Sequence, residues 1–383
     1  MRITDVKTLR LRAEMPPERR VLSRSGLRSS RSATLVQIET DAKITGAGSC
    51  SGNGALIEVI VDQVLKPLLV GMDPRAIEEI WDKAYYRAGF KEFGTRGVGL
   101  VALSGVDIAL WDIAGKIRGA PLYQLLGGKC RDKVPVYAPA LYPEEPSKVA
   151  RRARAFADHG FHGVKIKVGF DLAQDIEIVR AVRQELGKDF TIMTDANLGY
   201  TLDVAVKAAE AFSQCEVLWL EEPLFVEDID GHAKLRERSK ISVALGENLH
   251  TYYAFENFVL RHAVDFLQPD VARVGGISET RRIARLAAEH KLPISLHTWG
   301  DGVALAASLH LSAALRECTV MELDYTYNPL RDELLRDPLK FENGFMIPPD
   351  RPGLGVEIDP AAVTRFTCSV DEEVTIRQSV LRA

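Results

Sequence analysis

From residue 133 onward the chain alternates short β-branched runs with helical segments, and this alternation restricts the fold more than any other feature of the sequence. The runs are VPVYAPA, GVKIKV, FTIMTDA, VLWLEEP, SVALGE, DFLQPD, PISLH and TVMELD. The segments between them have helical periodicity, such as DLAQDIEIVRAVRQELG with its candidate N-cap Asp171. Eight strands with seven or more intervening helices predict an α/β fold in which a parallel sheet closes into a barrel.

The first 125 or so residues follow a different pattern, which predicts an α+β unit ahead of the barrel. Two alternating runs, ITDVKTLRL and ATLVQIET, are interpreted as strands joined by a long Ser/Arg-rich loop, and helical patterns follow them. We therefore divide the chain into an α+β domain at residues 1–125, a barrel at 126–355, and a C-terminal segment at 356–383 that returns to the first domain.

The composition is that of an ordinary soluble globular protein, and it excludes several classes of function. A net charge of −4 over 383 residues, with no long basic tract, argues against a nucleic-acid partner. The longest apolar stretches, such as residues 98–111, are too short and too interrupted to span a bilayer, and the N-terminus lacks the apolar core of a signal peptide. Five scattered cysteines without a CxxC motif predict reduced thiols in a cytoplasmic protein.

Three acidic residues end neighbouring strands at equal spacing. Asp195, Glu221 and Glu247 are each separated from the next by 26 residues, about the length of one strand–helix repeat. Consecutive barrel strands lie side by side, so the three carboxylates should meet at one rim, where a divalent cation would remove their mutual repulsion. Oxygen ligands favour a hard ion, Mg²⁺ before Zn²⁺, with Mn²⁺ as a substitute.

Two lysines precede the first of these acids by one repeat. Lys165 and Lys167 lie two apart on one strand, so their side chains point to the same side. An exposed lysine pair is the alternative for a KxK motif taken alone. Two ammonium groups beside a divalent cation should have lowered pKa values, which would make a lysine a usable general base.

Other polar residues end the remaining strands. Asp270 and His297 lie 27 residues apart, and a carboxylate on one imidazole nitrogen would orient the ring as an acid/base, although a structural core histidine is the alternative. Glu322 is either a hydrogen-bond donor to substrate or a buried structural acid. Asn197 is a weaker candidate, as a substrate-polarising or supporting group, and Glu222 should face away from the site.

The loops of the α+β domain offer candidate substrate contacts. The Ser/Arg-rich loop holds five arginines, namely Arg19, Arg20, Arg24, Arg28 and Arg31. If one of them reaches the site, it would suit a distal carboxylate or a polyhydroxy chain; a solvated surface loop is the alternative. We take Arg24 and Arg96 as candidates, with GSCSGNG as a further wall. Few aromatic residues are expected near the substrate, which argues against an aryl ligand. The turn VGGIS is weak evidence for phosphate binding.

In this order, the motifs resemble those of the mandelate racemase group of the enolase superfamily. The resemblance runs through ALWDIAGKIRGAPLYQLLGG, VKIKVG, DAN, LEEPL, GEN, LQPD and SLHTWGDGVALAASLH. It implies a capping domain on a modified TIM barrel, (β/α)₇β, with Mg²⁺ on the three acids. It also implies that Lys167 is a base assisted by Lys165, that His297 with Asp270 is the second acid/base, and that the protein is a homo-oligomer, either an octamer or a dimer or tetramer. Muconate-cycloisomerase and dipeptide-epimerase groups place a lysine near the end of the sixth strand, which HAVDFLQPDVARVGG lacks.

The resemblance also suggests a substrate class. MELDYTYNPLRDELLRDPL and PGLGVEI are similar to sugar-diacid members, including galactarolactone cycloisomerases and acid-sugar dehydratases. The expected reaction removes the proton α to the carboxylate of an aldonate, an aldarate or its lactone, and then expels a β-oxygen from the enediolate. Racemisation of a 2-hydroxy acid and a barrel that binds metal and sugar acid without turnover are the alternatives.

Overall fold

The computed structural model describes residues 1–23 and 26–369. The first domain contains an antiparallel sheet in the order β1-β4-β5 and a separate two-stranded hairpin, β2–β3. These strands are β1 (Ile3–Glu14), β2 (Val21–Ser23), β3 (Gly26–Arg28), β4 (Ser30–Thr40) and β5 (Thr45–Cys50). The segment predicted as a long loop therefore contains a short 3-10 helix, Pro17–Arg19, and this hairpin. The sequence pattern does not predict the pairing of β2 with β3, because three-residue strands are too short to show alternation.

The helices of the first domain pack against one face of its sheet. They are α1 (Gly54–Ile60), α2 (Lys66–Leu69), α3 (Ile77–Asp82), α4 (Phe90–Glu92), α5 (Val98–Arg118) and α6 (Leu122–Leu125), with π-helical turns at Val61–Leu65 and Lys83–Gly89. The long helix α5 lies close against β5, since a Cβ atom added at Gly48 would lie 1.9 Å from the carbonyl oxygen of Gly105. Glycine at both positions thus sets this packing distance.

Helix α5 also corrects the expectation about apolar length. The apolar stretch continues to Arg118, which gives a helix of 21 residues that is long and apolar enough to cross a membrane. However, 83% of its most apolar window is buried inside the protein, as in the core helix of a soluble domain. The helix is longer than the apolar stretch at residues 98–111 indicated, and its burial identifies α5 as a core helix.

The second domain is a closed parallel barrel, which confirms the predicted fold class. Its strands are β6 (Val134–Leu141), β7 (Gly163–Lys167), β8 (Thr191–Asp195), β9 (Trp219–Glu221), β10 (Ser242–Leu245), β11 (Phe266–Leu267) and β12 (Met321–Glu322). Between β11 and β12, the residues around Ile294 and His297 take the seventh position through isolated parallel bridges. Because β12 pairs with β6, the sheet closes with eight strand positions.

Seven helices connect the eight strand positions. They are α7 (Pro146–Asp158), α8 (Leu172–Leu186), α9 (Leu202–Ser213), α10 (Ile229–Arg238), α11 (Thr251–Leu260), α12 (Gly276–His290) and α13 (Gly302–Ala314). After the barrel come α14 (Pro329–Asp332), the hairpin β13 (Phe341–Glu342) and β14 (Phe345–Met346), and α15 (Pro360–Phe366). Cys368 donates its backbone N–H to the carbonyl of Arg10 at 3.1 Å, so the chain returns to β1. The limits of the three predicted parts stay a prediction.

The two domains are joined where α5 crosses the N-terminus of α12. The Asp107 carboxylate accepts hydrogen bonds from the backbone N–H and the hydroxyl of Ser278, at 2.9 and 2.6 Å. Gly276 lies in the left-handed region, at φ 86°, and a Cβ atom there would lie 2.4 Å from Asp107. The VGGIS turn is therefore occupied by a carboxylate of the first domain, which leaves no room for a phosphate there.

Replacing Asp107 with asparagine should remove a pH dependence of stability. Burial raises the pKa of Asp107 from 3.8 to about 7, although its hydrogen bonds with Ser278 oppose the change. The pKa of Asp107 is higher in the folded state than in the unfolded state. The protonated carboxyl therefore contributes its full stabilisation below pH 3.8, and this stabilisation is lost as the pH rises from 3.8 to about 7. At about 1.4 kcal/mol per pKa unit, the loss is at most about 4 kcal/mol.

The measurement is the urea midpoint of the wild type and Asp107→Asn at pH 4.5 and 7.5. The urea midpoint of the variant, relative to that of the wild type, should be higher at pH 7.5 than at pH 4.5. Asp203→Asn, at an exposed position of α9, is the matched control. A difference that stays constant with pH would contradict the assignment.

Candidate active site

A cavity of about 750 Å³ lies between the carboxyl ends of the barrel strands and the first domain. The barrel contributes Lys167 and His297 to its lining, and the first domain contributes Arg28, Arg31 and Ser51. Catalytic groups of such barrels come from this end, because the loops after the strands meet there. The GSCSGNG loop, expected as a wall, contributes Ser51, Gly52 and Asn53.

The register of the parallel strands pairs two of the predicted acids, and the third, Glu247, lies two residues beyond the end of β10. Lys167 is directly paired with Asp195, and Asp195 with Glu221, across β7, β8 and β9. One ligand atom from each of Asp195, Glu221 and Glu247 lies within 4.8 Å of the others. Asp195 and Glu221 are buried, and the Glu247 side chain is 12% exposed. Gln268 holds the second oxygen of Glu221 through a 2.7 Å hydrogen bond.

The donor set fits a hard divalent cation. The three carboxylates supply converging oxygen atoms, and a cationic side chain neutralises each carboxylate. Lys165 lies 2.6 Å from Glu221, and His297 Nε2 lies 2.8 Å from Glu247. Lys167 pairs with Asp195 in the same way. Burial raises the pKa of Glu221 to about 7 although Lys165 opposes this, so a cation at the carboxylates would favour the charged form of Glu221. Oxygen-only donors of this kind are the preferred ligands of Mg²⁺.

The two lysines occupy different depths. Lys167 lines the cavity and donates a hydrogen bond to Asn197 Oδ1 at 3.0 Å. Lys165 is fully buried beneath it, 3.4 Å from Glu322. Burial lowers the pKa of Lys165, but attraction by Glu221 and Glu322 outweighs this and holds it well above its ordinary value.

The expected lowering of the lysine pKa values is therefore absent from the protein alone. For Lys167, too, burial lowers the pKa, but attraction by Asp195 outweighs it and the pKa is raised. The prediction assumed the field of a cation, whereas the groups facing the lysines are carboxylates. A cation shared by those carboxylates would oppose the attraction and lower both values.

His297 and Asp270 form the predicted pair. They face each other in an isolated parallel bridge, and His297 Nδ1 lies 2.7 Å from Asp270 Oδ2. Asp270 is fixed in turn by the backbone N–H of Ala272 at 2.8 Å. The second ring nitrogen, Nε2, is directed towards Glu247, and His297 lines the cavity. Lys167 and His297 thus flank the acid triad, one strand before it and two strands after it.

Of the remaining predicted site residues, Asn197 and Glu322 belong to the site, whereas Arg96 does not. Asn197 lines the cavity between Lys167 and Glu247, and Glu322 is buried behind it, 3.5 Å from His297 Nε2. Arg96 does not line the cavity; its side chain is 77% exposed and lies 3.6 Å from Glu227. Arg24 lies outside the described residues.

Glu222 was expected to face away from the site, and this was wrong. It lines the cavity and accepts hydrogen bonds from Asn248 Nδ2 at 2.8 and 3.0 Å. Strand alternation ends at Glu221, and Glu222 has a left-handed backbone with φ 39°, so its side chain is turned back inward. The following Pro223 was the available signal, because proline interrupts a ladder and marks the end of a strand.

Aromatic residues are more prominent in the cavity than expected. Tyr142, Phe225 and Trp299 all belong to its lining, so the expectation of few aromatics was wrong. Each of these residues lies in a loop that follows a strand position, where hydrophobic periodicity does not indicate the direction in which a side chain points. Arg28 and Arg31, two of the five arginines of the Ser/Arg-rich segment, line the cavity as well.

Comparison with known proteins identifies the family. The N-terminal domain of the mandelate racemase / muconate lactonizing enzyme family matches residues 7–127, and an enolase C-terminal domain-like model matches residues 148–362. The D-galactarolactone cycloisomerase of Agrobacterium fabrum is 40% identical over 380 residues, which cover 96% of this chain and 99% of that protein. The arabinonate dehydratase of Saccharolobus solfataricus is 34% identical, with 96% and 99% covered.

Solved structures agree in fold. A member of the enolase superfamily from Polaromonas sp. JS666 is 31% identical with a TM-score of 0.91, covering 96% of this chain and 98% of that one. A racemase from Streptomyces coelicolor A3(2) with bound magnesium is 32% identical with a TM-score of 0.88, covering 96% and 100%. The chain is therefore an enolase-superfamily enzyme, a lyase or an isomerase, and it belongs to the mandelate racemase / muconate lactonizing enzyme family.

Proposed function

We propose that this enzyme removes the proton α to the carboxylate of a sugar acid or its lactone and eliminates a β-oxygen from the resulting enediolate. The observation that carries the proposal is the placement of Lys167 and His297 in one cavity, flanking three converging carboxylates. Two proton carriers on one bound molecule are what such an elimination requires, since one group accepts the α-proton and another protonates the leaving oxygen.

Asp195, Glu221 and Glu247 would hold Mg²⁺. When bound, the cation would supply positive charge to the substrate carboxylate and to the enediolate derived from it. The support is the all-oxygen donor set in this chain and the bound magnesium of the racemase from Streptomyces coelicolor.

Lys167 is the proposed base. Lys167 lines the cavity, and its Nζ atom lies beside Asp195 and Asn197, which orient the ammonium group. Lys165, fully buried, maintains positive charge below it and discourages protonation of Lys167 through repulsion of like charges. Together with a cation held by the three carboxylates, this repulsion would favour the neutral form of Lys167, which accepts the α-proton.

His297 is the proposed acid. Asp270 accepts the Nδ1–H hydrogen bond, which fixes the tautomer and leaves Nε2 facing the cavity. From there Nε2 would deliver a proton to a departing β-hydroxyl, releasing water, or to the departing ring oxygen of a lactone, opening the ring. The buried Glu322 would support the charged imidazole from 3.5 Å.

The test is an incubation of sugar acids and their lactones with the Mg²⁺-loaded enzyme in D₂O, followed by NMR. A 2-keto-3-deoxy acid is the expected product, and exhaustive chelation should abolish its formation. Recovery of an α-deuterated epimer would instead establish racemisation, and binding without any exchange would leave the non-catalytic alternative. The homo-oligomer and the cytoplasmic location stay predictions.

A further inference from the structure

One part of the cavity lining contains a cluster that the proposed chemistry does not use. We call it the distal wall and define it as Arg28, Arg31, Tyr142 and Trp299, all of which line the cavity. The guanidinium carbons of Arg28 and Arg31 lie 5.7 and 4.8 Å from the centroid of the Trp299 ring. Two cations thus share one indole, which orients both planar groups through cation–π attraction.

Arg31 has a structural role in this wall. It is only 6% exposed, its Nη2 atom lies 3.3 Å from Asp324, and its Nε–H donates to the carbonyl of Tyr327 at 3.1 Å. Thr326 Oγ1 accepts a further hydrogen bond from the same group. The charge of Arg31 is therefore matched by Asp324, and its guanidinium packs over the Trp299 ring.

Arg28 and Tyr142 are placed differently from Arg31. Arg28 ends β3 and is exposed within the cavity wall. Tyr142 directly follows β6, is 7% exposed, and makes no hydrogen bond to any other residue in the described part of the chain. Burial raises the pKa of Tyr142, while the neighbouring charges of Lys167 and Arg28 oppose this, so its hydroxyl stays protonated and can donate. The charges that act on its hydroxyl place Tyr142 near both Lys167, the proposed base, and Arg28.

We propose that Arg28 and Tyr142 bind a second carboxylate at the far end of the substrate, so that the enzyme prefers sugar diacids and their lactones over aldonates. This inference rests on the proposed function, because the first carboxylate is the one α to the abstracted proton. A guanidinium that lies over an indole ring and a phenolic O–H are both donors, and they suit an acceptor with two charged oxygens. A primary hydroxyl at the same position would receive only weaker, neutral hydrogen bonds.

The test compares acids that differ only in the terminal group, galactarate with galactonate and glucarate with gluconate. The wild type should have the higher kcat/KM for the diacid of the active pair. In Arg28→Gln the ratio of diacid to aldonate kcat/KM should fall by about 100-fold, because a charge-assisted, bidentate contact is lost. Tyr142→Phe should lower the ratio by about 10-fold, and Arg28→Lys should restore part of the loss.

Arg19→Gln is the matched control, since Arg19 belongs to the same segment but does not line the cavity; it should keep the wild-type ratio. Calorimetry with the same four acids gives dissociation constants that do not depend on turnover. Turnover with an unchanged ratio in Arg28→Gln, or a wild type that prefers the aldonate, would overturn the distal subsite but leave the proposed function standing. Diacid-selective binding that Arg28→Gln abolishes, without turnover of any sugar acid, would overturn the function but leave the subsite standing.

Discussion

The Lys167→Ala variant should lose roughly 10³- to 10⁴-fold in kcat, together with exchange of the substrate α-proton for deuterium. Lys167 is the cationic group that lines the cavity next to Asp195, and alanine leaves no proton acceptor at that position. Binding of Mg²⁺ should persist, because all three carboxylates remain and Asp195 is released from its ion pair. Steady-state kinetics, NMR in D₂O and calorimetry with Mg²⁺ measure these three quantities.

Lys207→Ala removes an exposed lysine from α9 and serves as the control for a lost positive charge. It should keep wild-type kinetics. If Lys167→Ala retained α-proton exchange at the wild-type rate, another group would have to be the base.

The His297→Asn variant should separate the two halves of the reaction. An asparagine amide can still donate to Asp270, but the basic Nε2 atom is lost, and product formation should fall by roughly 10³-fold. Exchange of the α-proton should continue, since Lys167 remains in place. This pattern differs from that expected for Lys167→Ala, in which exchange and product formation stop together.

His262→Asn is a suitable control, because His262 is exposed and has a left-handed backbone with φ 52°, which asparagine tolerates well. Loss of α-proton exchange in His297→Asn would mean that the histidine abstracts the proton. Wild-type product formation would exclude it from the chemistry.

The reacting groups could be predicted from sequence because they depend on strand register. The spacing of 26 residues between Asp195 and Glu221 reflects one strand–helix repeat, and the two residues are direct partners in adjacent strands. The same holds for Lys167 with Asp195 and for Asp270 with His297. Parallel pairing places residues one repeat apart side by side, so their contact can be predicted without knowing the loop conformations.

The contacts outside the strands could not be predicted in this way. Glu222 turns inward through one left-handed backbone angle, and Arg28 reaches the cavity through a hairpin whose strands are three residues long. The sequence pattern does not distinguish Arg28, which lines the cavity, from Arg96, which does not, because nothing in it indicates where a loop leads. The lysine pKa values were misjudged for a related reason, since they depend on which carboxylates face Lys165 across the barrel.

Within residues 1–23 and 26–369, strands β2 and β3 pair with each other in a sheet separate from both β1-β4-β5 and the barrel. Arg28 is its last residue, whereas Lys167 and Asp195 are fixed within the closed sheet. Exchange of this short ribbon for one of different sequence would therefore alter which molecules are accepted and leave the proton-transfer groups where they are. A relative with a different substrate preference could therefore evolve, or be engineered, through substitutions at fewer than ten consecutive residues.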